Sequence, residues 1–111
     1  MKHSEIKFNV SLDDEKIPQS ITWEATDSGV LGAKPCKATM LSVWDATENT
    51  TLRIDLWTKD MLVDDMKRFF YESLITMADT YQRATQDANL AGDMKKFADE
   101  FARKSELFKT Q

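Results

Sequence analysis

Thr51-Leu52-Arg53-Ile54-Asp55-Leu56-Trp57-Thr58-Lys59-Asp60-Met61 is the stretch on which the reading of the fold turns. Its first seven residues alternate, with Leu52, Ile54 and Leu56 on one face and Arg53, Asp55 and Trp57 on the other, which is the period of a β-strand. Its last residues are polar and run into a segment, Val63 to Arg83, whose apolar positions recur at the 3.6-residue period of a helix. The chain changes from strand to helix here, and each half keeps its own period.

Upstream, Ile6, Phe8, Val10 and Leu12 share one strand face, opposite Glu5, Lys7, Asn9 and Ser11. Asp13 to Lys16 is a polar turn. Pro18 holds the residue before it in an extended conformation, and Ile21, Trp23 and Ala25 alternate against Ser20, Thr22, Glu24 and Thr26. Residues 27–35 hold two of the three glycines and one of the two prolines and read as a loop. A third strand is expected from about Lys37 to Asp45. Met40 and Trp44 face one way and Leu41 and Val43 the other, so this strand is expected to be covered on both sides. Residues 46–50 form a hairpin loop.

Downstream, Asp60 is placed to cap the first helix and Asp64 and Asp65 occupy its first turn, where the helix dipole favours negative charge. Val63, Met66, Phe70, Leu74, Met77 and Tyr81 form a stripe, flanked by Phe69 and by Tyr71, Ile75 and Ala78. The apolar arc spans about 240°, wider than a surface helix requires. Gln86 to Asn89 marks a break. A second helix is expected to bury Leu90, Met94, Phe97, Ala98, Phe101, Ser105 and Phe108.

Strands followed by helices, joined by short loops, predict an α+β fold: a four-stranded antiparallel meander sheet and two C-terminal helices on one sheet face. Residues 1–111 read as one domain, with strands over about 4–58 and helices over about 61–109. Three Trp, two Tyr, six Phe and six Met supply core material. At this length neither metal nor disulfide is needed for folding.

Composition narrows the function. A net charge of −4 and a pI near 4.9 argue against nucleic-acid binding, which needs a basic face. The single cysteine, Cys36, excludes an internal disulfide. No apolar run approaches the roughly 20 residues of a membrane span, and the first residues carry no apolar signal core. A cytoplasmic protein is expected. The one histidine, His3, lies near the terminus, away from any nucleophile. Asp55, Asp60 and Asp64 are the best carboxylate set for a metal-dependent hydrolase, but helix capping explains two of them without a metal. The expectation is no enzyme, no cofactor and no metal. Excess apolar surface points instead to association: Trp57, Leu41, Val43, Phe69, Tyr71 and Ile75 are the candidate interaction residues, and a homo-oligomer, a dimer or dimer of dimers, is expected.

Leu41-Ser42-Val43-Trp44-Asp45, the run from Thr51 to Met61, Met66-Lys67-Arg68-Phe69-Phe70, Met77-Ala78-Asp79-Thr80 and Arg83-Ala84-Thr85 together resemble the gliding motility-associated GldC family of Bacteroidetes. Ser4-Glu5-Ile6 and the strand containing Trp23 also fit. The resemblance implies an accessory protein of the gliding machinery, with a protein partner that could be the companion GldB lipoprotein. It brings no catalytic residues. The element order is similar to that of the SecB export chaperone, which leaves a chaperone, or a small-ligand-binding module, as alternatives; fold order alone does not carry function.

Overall fold

The structure, a computed structural model, describes residues 2–27 and 32–107. The middle of the expected loop (residues 28–31) and the position of Phe108 lie outside the described residues. Five strands precede two helices: β1 (Ile6–Leu12), β2 (Pro18–Ala25), β3 (Lys34–Cys36), β4 (Ala38–Trp44), β5 (Thr51–Trp57), α1 (Val63–Thr85) and α2 (Ala88–Lys104). The class is α+β, as the two periodicities predict. The chain divides into two compact units, Met1–Met61 and Leu62–Gln111, so that all strands fall in the first and both helices in the second.

The single four-stranded meander is corrected by the pairing. There is a three-stranded antiparallel sheet, β1-β2-β3, and a separate two-stranded one, β4-β5. The expected third strand, from about Lys37 to Asp45, is β4; β3 is an additional short strand, two of whose three residues were read as the end of the 27–35 loop. It meets β2 at only three positions, Ile21↔Cys36, Thr22↔Pro35 and Trp23↔Lys34. Pro35 has no N–H to give, which suits this edge position. The chain bends at Lys37, whose carbonyl accepts from the Thr58 N–H at 2.8 Å. From Ala38 onward the same stretch pairs with β5 instead.

The three-stranded sheet sorts its faces as the alternation requires. Phe8 lies opposite Trp23, and Val10 opposite Ile21, on the apolar side; Lys7 opposite Glu24 and Asn9 opposite Thr22 on the polar side. Among the described residues Ile21, on the central strand, is the one large side chain buried completely. Lys7 and Glu24 form an exposed ion pair at 3.9 Å, of the kind that contributes little.

The β1–β2 turn is built by Asp13. Its Oδ1 accepts from the N–H groups of Glu15 (2.8 Å) and Ile17 (2.9 Å), an Asx-turn. Lys16 takes a left-handed conformation, φ 64°. The other carboxylate oxygen of Asp13 pairs with Lys59 beyond the end of β5, tying this turn to the far side of the unit.

In the helical unit, Asp87 links α1 to α2. Gln86 closes α1 in the left-handed region (φ 63°), its N–H bonded to the Gln82 carbonyl, and the Asp87 side chain then caps α2 by accepting from the Leu90 N–H at 3.0 Å. Asp60 does not cap α1: the cap position is Leu62, without a side-chain bond. Asp60 instead accepts from Thr58 Oγ1 at 2.5 Å and pairs with Lys37 at 3.5 Å. Asp64 and Asp65 do occupy the first turn.

The packing face of α2 is as expected at Ala98, which is buried, and differs from expectation elsewhere. Ala91, Ala98 and Ala102 are the buried apolar residues of α2 and Ala78 that of α1, whereas Leu90 and Phe97 are about half exposed. Ala91, Lys95, Ala98, Ala102 and Ser105 fall on one row at helical spacing. Lys95 in that row pairs with Asp79 of α1 at 2.9 Å, and the Ser105 carbonyl accepts from Lys67 Nζ at 3.1 Å. The small row, not the large one, therefore faces α1, because methyl side chains let two helix backbones approach closely.

Candidate protein-interaction surface

The β4–β5 hairpin places chemistry by register. Leu41 lies opposite Ile54, Val43 opposite Leu52, and Thr39 opposite Leu56, so these six share one face. Ala38 and Trp57, Met40 and Asp55, Ser42 and Arg53, and Trp44 and Thr51 form the other. The first face has no charge and, apart from Thr39, no polar side chain. Val43, Leu52 and Ile54 are 58%, 50% and 57% exposed there, and Leu41 and Leu56 half-buried. Two strands alone are marginal in water, and among the described residues no other strand is hydrogen-bonded to the outer edges of this pair. An uncovered aliphatic face of this kind marks an interaction site.

The hairpin is closed by Asp45. Its Oδ2 accepts from the N–H groups of Thr47 (3.1 Å) and Glu48 (2.6 Å), its carbonyl from the Asn49 N–H, and Asn49 is left-handed at φ 52°. This turn fixes the register, and the register decides which side chains reach the apolar face.

The second face is mixed. Arg53 makes two bonds to Asp55, Nε at 3.3 Å and Nη2 at 2.9 Å, and a third to Ser42 Oγ at 2.5 Å. Hydrogen bonding to Asp55, then its charge, raises the Arg53 pKa further. Trp44 and Trp57 flank this polar centre, 68% and 56% exposed. Trp57 thus stands opposite Leu52, Ile54 and Leu56, as the alternation in sequence demands. The expected covering of the third strand on both sides is not found: Val43 and Trp44, adjacent residues on opposite faces, are both exposed.

The candidate residues are only partly brought together. Leu41 and Val43 share one hairpin face and Trp57 lies on the other. Phe69, Tyr71 and Ile75 are half-buried on α1. Tyr71 and Ile75 are one turn apart, while Phe69 points about 160° away from Tyr71 at ~100° per residue. Leu52 and Ile54 belong to the surface and were not among the candidates, although the strict alternation of Thr51 to Trp57 puts them beside Leu41 and Val43 once the hairpin is closed.

Other chemistry is dispersed. Among the described residues no three His, Cys, Asp or Glu side chains come together as a metal site would need. Asp55 is held by Arg53, and the Thr58 hydroxyl, followed by the charge of Lys37, lowers the Asp60 pKa. Burial raises the Cys36 thiol. Asp79, Gln82, Arg83 and Gln86 line a shallow, open depression at the end of α1. No described helix is long and apolar enough to cross a membrane.

No curated protein and no solved structure matches the chain. A family model does, that of the gliding motility-associated protein GldC-like family, over residues 18–107. The match takes in β2 through α2 and all of the β4–β5 hairpin. The chain belongs to the GldC-like family of gliding motility-associated proteins.

Proposed function

We propose that this chain is a non-enzymatic accessory protein of the bacterial gliding machinery, which binds and stabilises another protein component through the β4–β5 hairpin. The observation that carries the reading is the uncharged face of Leu41, Val43, Leu52, Ile54 and Leu56, on which Val43, Leu52 and Ile54 stand half or more in water. Trp57 and Trp44 on the reverse face supply the large aromatic anchors typical of binding hot spots. The family membership supports the gliding system as the setting. The companion lipoprotein GldB is one candidate partner, and a cytoplasmic location for this chain is part of the same proposal, open to fractionation.

The test is a titration of the purified soluble part of each gliding component against the wild-type chain and Ile54→Glu. Binding to one component that Ile54→Glu loses, with the circular dichroism spectrum unchanged, is the expected result. Equal binding by the folded variant removes the hairpin from the interface. Indiscriminate binding of unfolded polypeptides, with no preference for any gliding component, would favour an export-chaperone role instead.

A further inference from the structure

The outer edge of β5 is a row of open backbone. Two bonds at the ends of the hairpin fix which residues direct their N–H and C=O groups across it. The Asp45 N–H donates to the Thr50 carbonyl at 2.8 Å, and the Thr58 N–H to the Lys37 carbonyl at 2.8 Å. The register between them is unbroken, and in an antiparallel pair alternate residues exchange both bonds. The exchanging pairs are therefore Val43 with Leu52, Leu41 with Ile54, and Thr39 with Leu56. Thr51, Arg53, Asp55 and Trp57 turn their backbone groups the other way, where no described strand pairs with them.

Native edges of this kind are commonly blunted by proline, lysine or a bulge. β1, the outer strand of the other sheet, has a register shift between Ser11 and Leu12. β5 has no such protection: it holds no proline, lysine or glycine, keeps its register throughout, and is exposed at every residue except half-buried Leu56. A helix uses its backbone groups internally, so only another extended segment can satisfy this edge.

The sequence of β5 selects that segment. Two copies of one strand related by a two-fold axis run antiparallel and meet about a central residue. The outward groups belong to residues 51, 53, 55 and 57, so these must pair among themselves. Centring on Arg53 sets Arg53 against its own copy, and centring on Asp55 does the same for Asp55; like charges directly opposite are destabilising. Centring on Leu52 or Leu56 leaves much of the strand unpaired. Centring on Ile54 pairs all of it. Arg53 then faces Asp55 of the second copy, twice over, and Leu52 faces Leu56 on the apolar side. Arg53 and Asp55 already pair within the strand at 2.9 Å, so two copies close a ring of four alternating charges. We infer that β5 pairs with β5 of a second copy about a two-fold axis at Ile54, joining two hairpins into one four-stranded antiparallel sheet. The pairing removes the open edge and passes the strand minimum at which a sheet with one apolar face becomes stable.

Sedimentation equilibrium of the full chain at micromolar concentration is expected to return twice the 12.8 kDa chain mass. Arg53→Asp sets carboxylate opposite carboxylate, and Asp55→Arg sets guanidinium opposite guanidinium. Each variant alone should dimerise at least about tenfold more weakly. Mixed in equal amounts, the two complement each other across the axis although neither does so within its own strand, and the heterodimer should recover a Kd close to wild type. Both substitutions lie on the face away from Leu41, Val43 and Leu52, and the assay contains this chain alone, so its result is separate from that of the gliding-component titration. If a variant unfolds, oxidation decides. In a Cys36→Ser background, Ile54→Cys stands opposite its own copy, with Cβ atoms about 4.5–5.5 Å apart, and should form an interchain disulfide; Val43→Cys, as exposed but on β4, should not. A monomeric wild type, folded variants with unaltered Kd, a mixture that fails to associate, or equal disulfide yield from both positions would overturn the inference.

Discussion

Ala98→Leu should destabilise the helical unit by about 1–3 kcal/mol, the cost of forcing extra methylenes into a contact with no room for them. Ala98 is fully buried in the row that faces α1. Leucine and alanine differ by only a few tenths of a kcal/mol in helix propensity, so propensity cannot produce a change of that size. Ala84→Leu, on the exposed end of α1, is the control and should stay within about 0.5 kcal/mol of wild type. Urea unfolding followed by helical circular dichroism gives the difference directly, and a loss near 2 kcal/mol corresponds to a fall in Tm of roughly 8–16 °C for a domain of this size. An Ala98→Leu protein as stable as wild type, or more stable, would refute the close-packed alanine seam. It would return Leu90 and Phe97 to the role of buried face that hydropathy assigns them.

Three further outcomes follow from single residues. Gln86→Gly should stabilise by about 0.5–1 kcal/mol, since glycine adopts the left-handed C-cap conformation without the steric cost a side chain carries; a thermal melt with lowered Tm would contradict this. Asp87→Ala should cost about 0.5–2 kcal/mol through loss of the cap on the Leu90 N–H, measured by the same urea titration. Stability should fall as pH drops below the ordinary carboxylate range near 4, because Asp13, Asp60 and Glu100 are all held below their usual pKa values, Asp13 chiefly by hydrogen bonding to Lys59 and Glu100 by Lys104. A lowered folded pKa means that the unfolded chain binds more protons, so this contribution is complete above the unfolded value and disappears as each folded pKa is passed. Asp13→Asn should flatten that acid limb, which chemical denaturation at a series of pH values would reveal.

The periods of two and 3.6 located every helix and most strands because each element buries or exposes side chains in step with its own geometry. The short strand β3 was not legible, because Lys34 and Pro35 sit at the end of a stretch rich in glycine and proline that reads as loop. Its pairing depends on how many β2 residues remain free, and the bend that separates it from β4 on the long-range bond from Thr58 to Lys37, neither of which leaves a local signal. Asp60 misled for a related reason. A carboxylate just before a helix reads as a cap, but a hydroxyl two residues earlier and Lys37, at the bend between β3 and β4, compete for it. Trp57 was placed correctly relative to Leu52, Ile54 and Leu56 because alternation within one strand needs no partner. The grouping of Leu52 and Ile54 with Leu41 and Val43 required the register that the Asp45 turn imposes.

The second helix gives the most instructive disagreement. Hydropathy ranks Leu90, Phe97 and Phe101 above Ala91, Ala98 and Ala102, and a reading by hydropathy turns the larger side chains inward. Two helices joined at Gln86 and Asp87 are instead held close, and closeness selects for the smallest side chains at the seam. Leu90 and Phe97 are then displaced by a quarter-turn, onto one side of the hairpin, where each is about half exposed. The alanines and the exposed aromatic rows are thus one arrangement: the tight seam inside the hairpin is what turns the larger side chains outward.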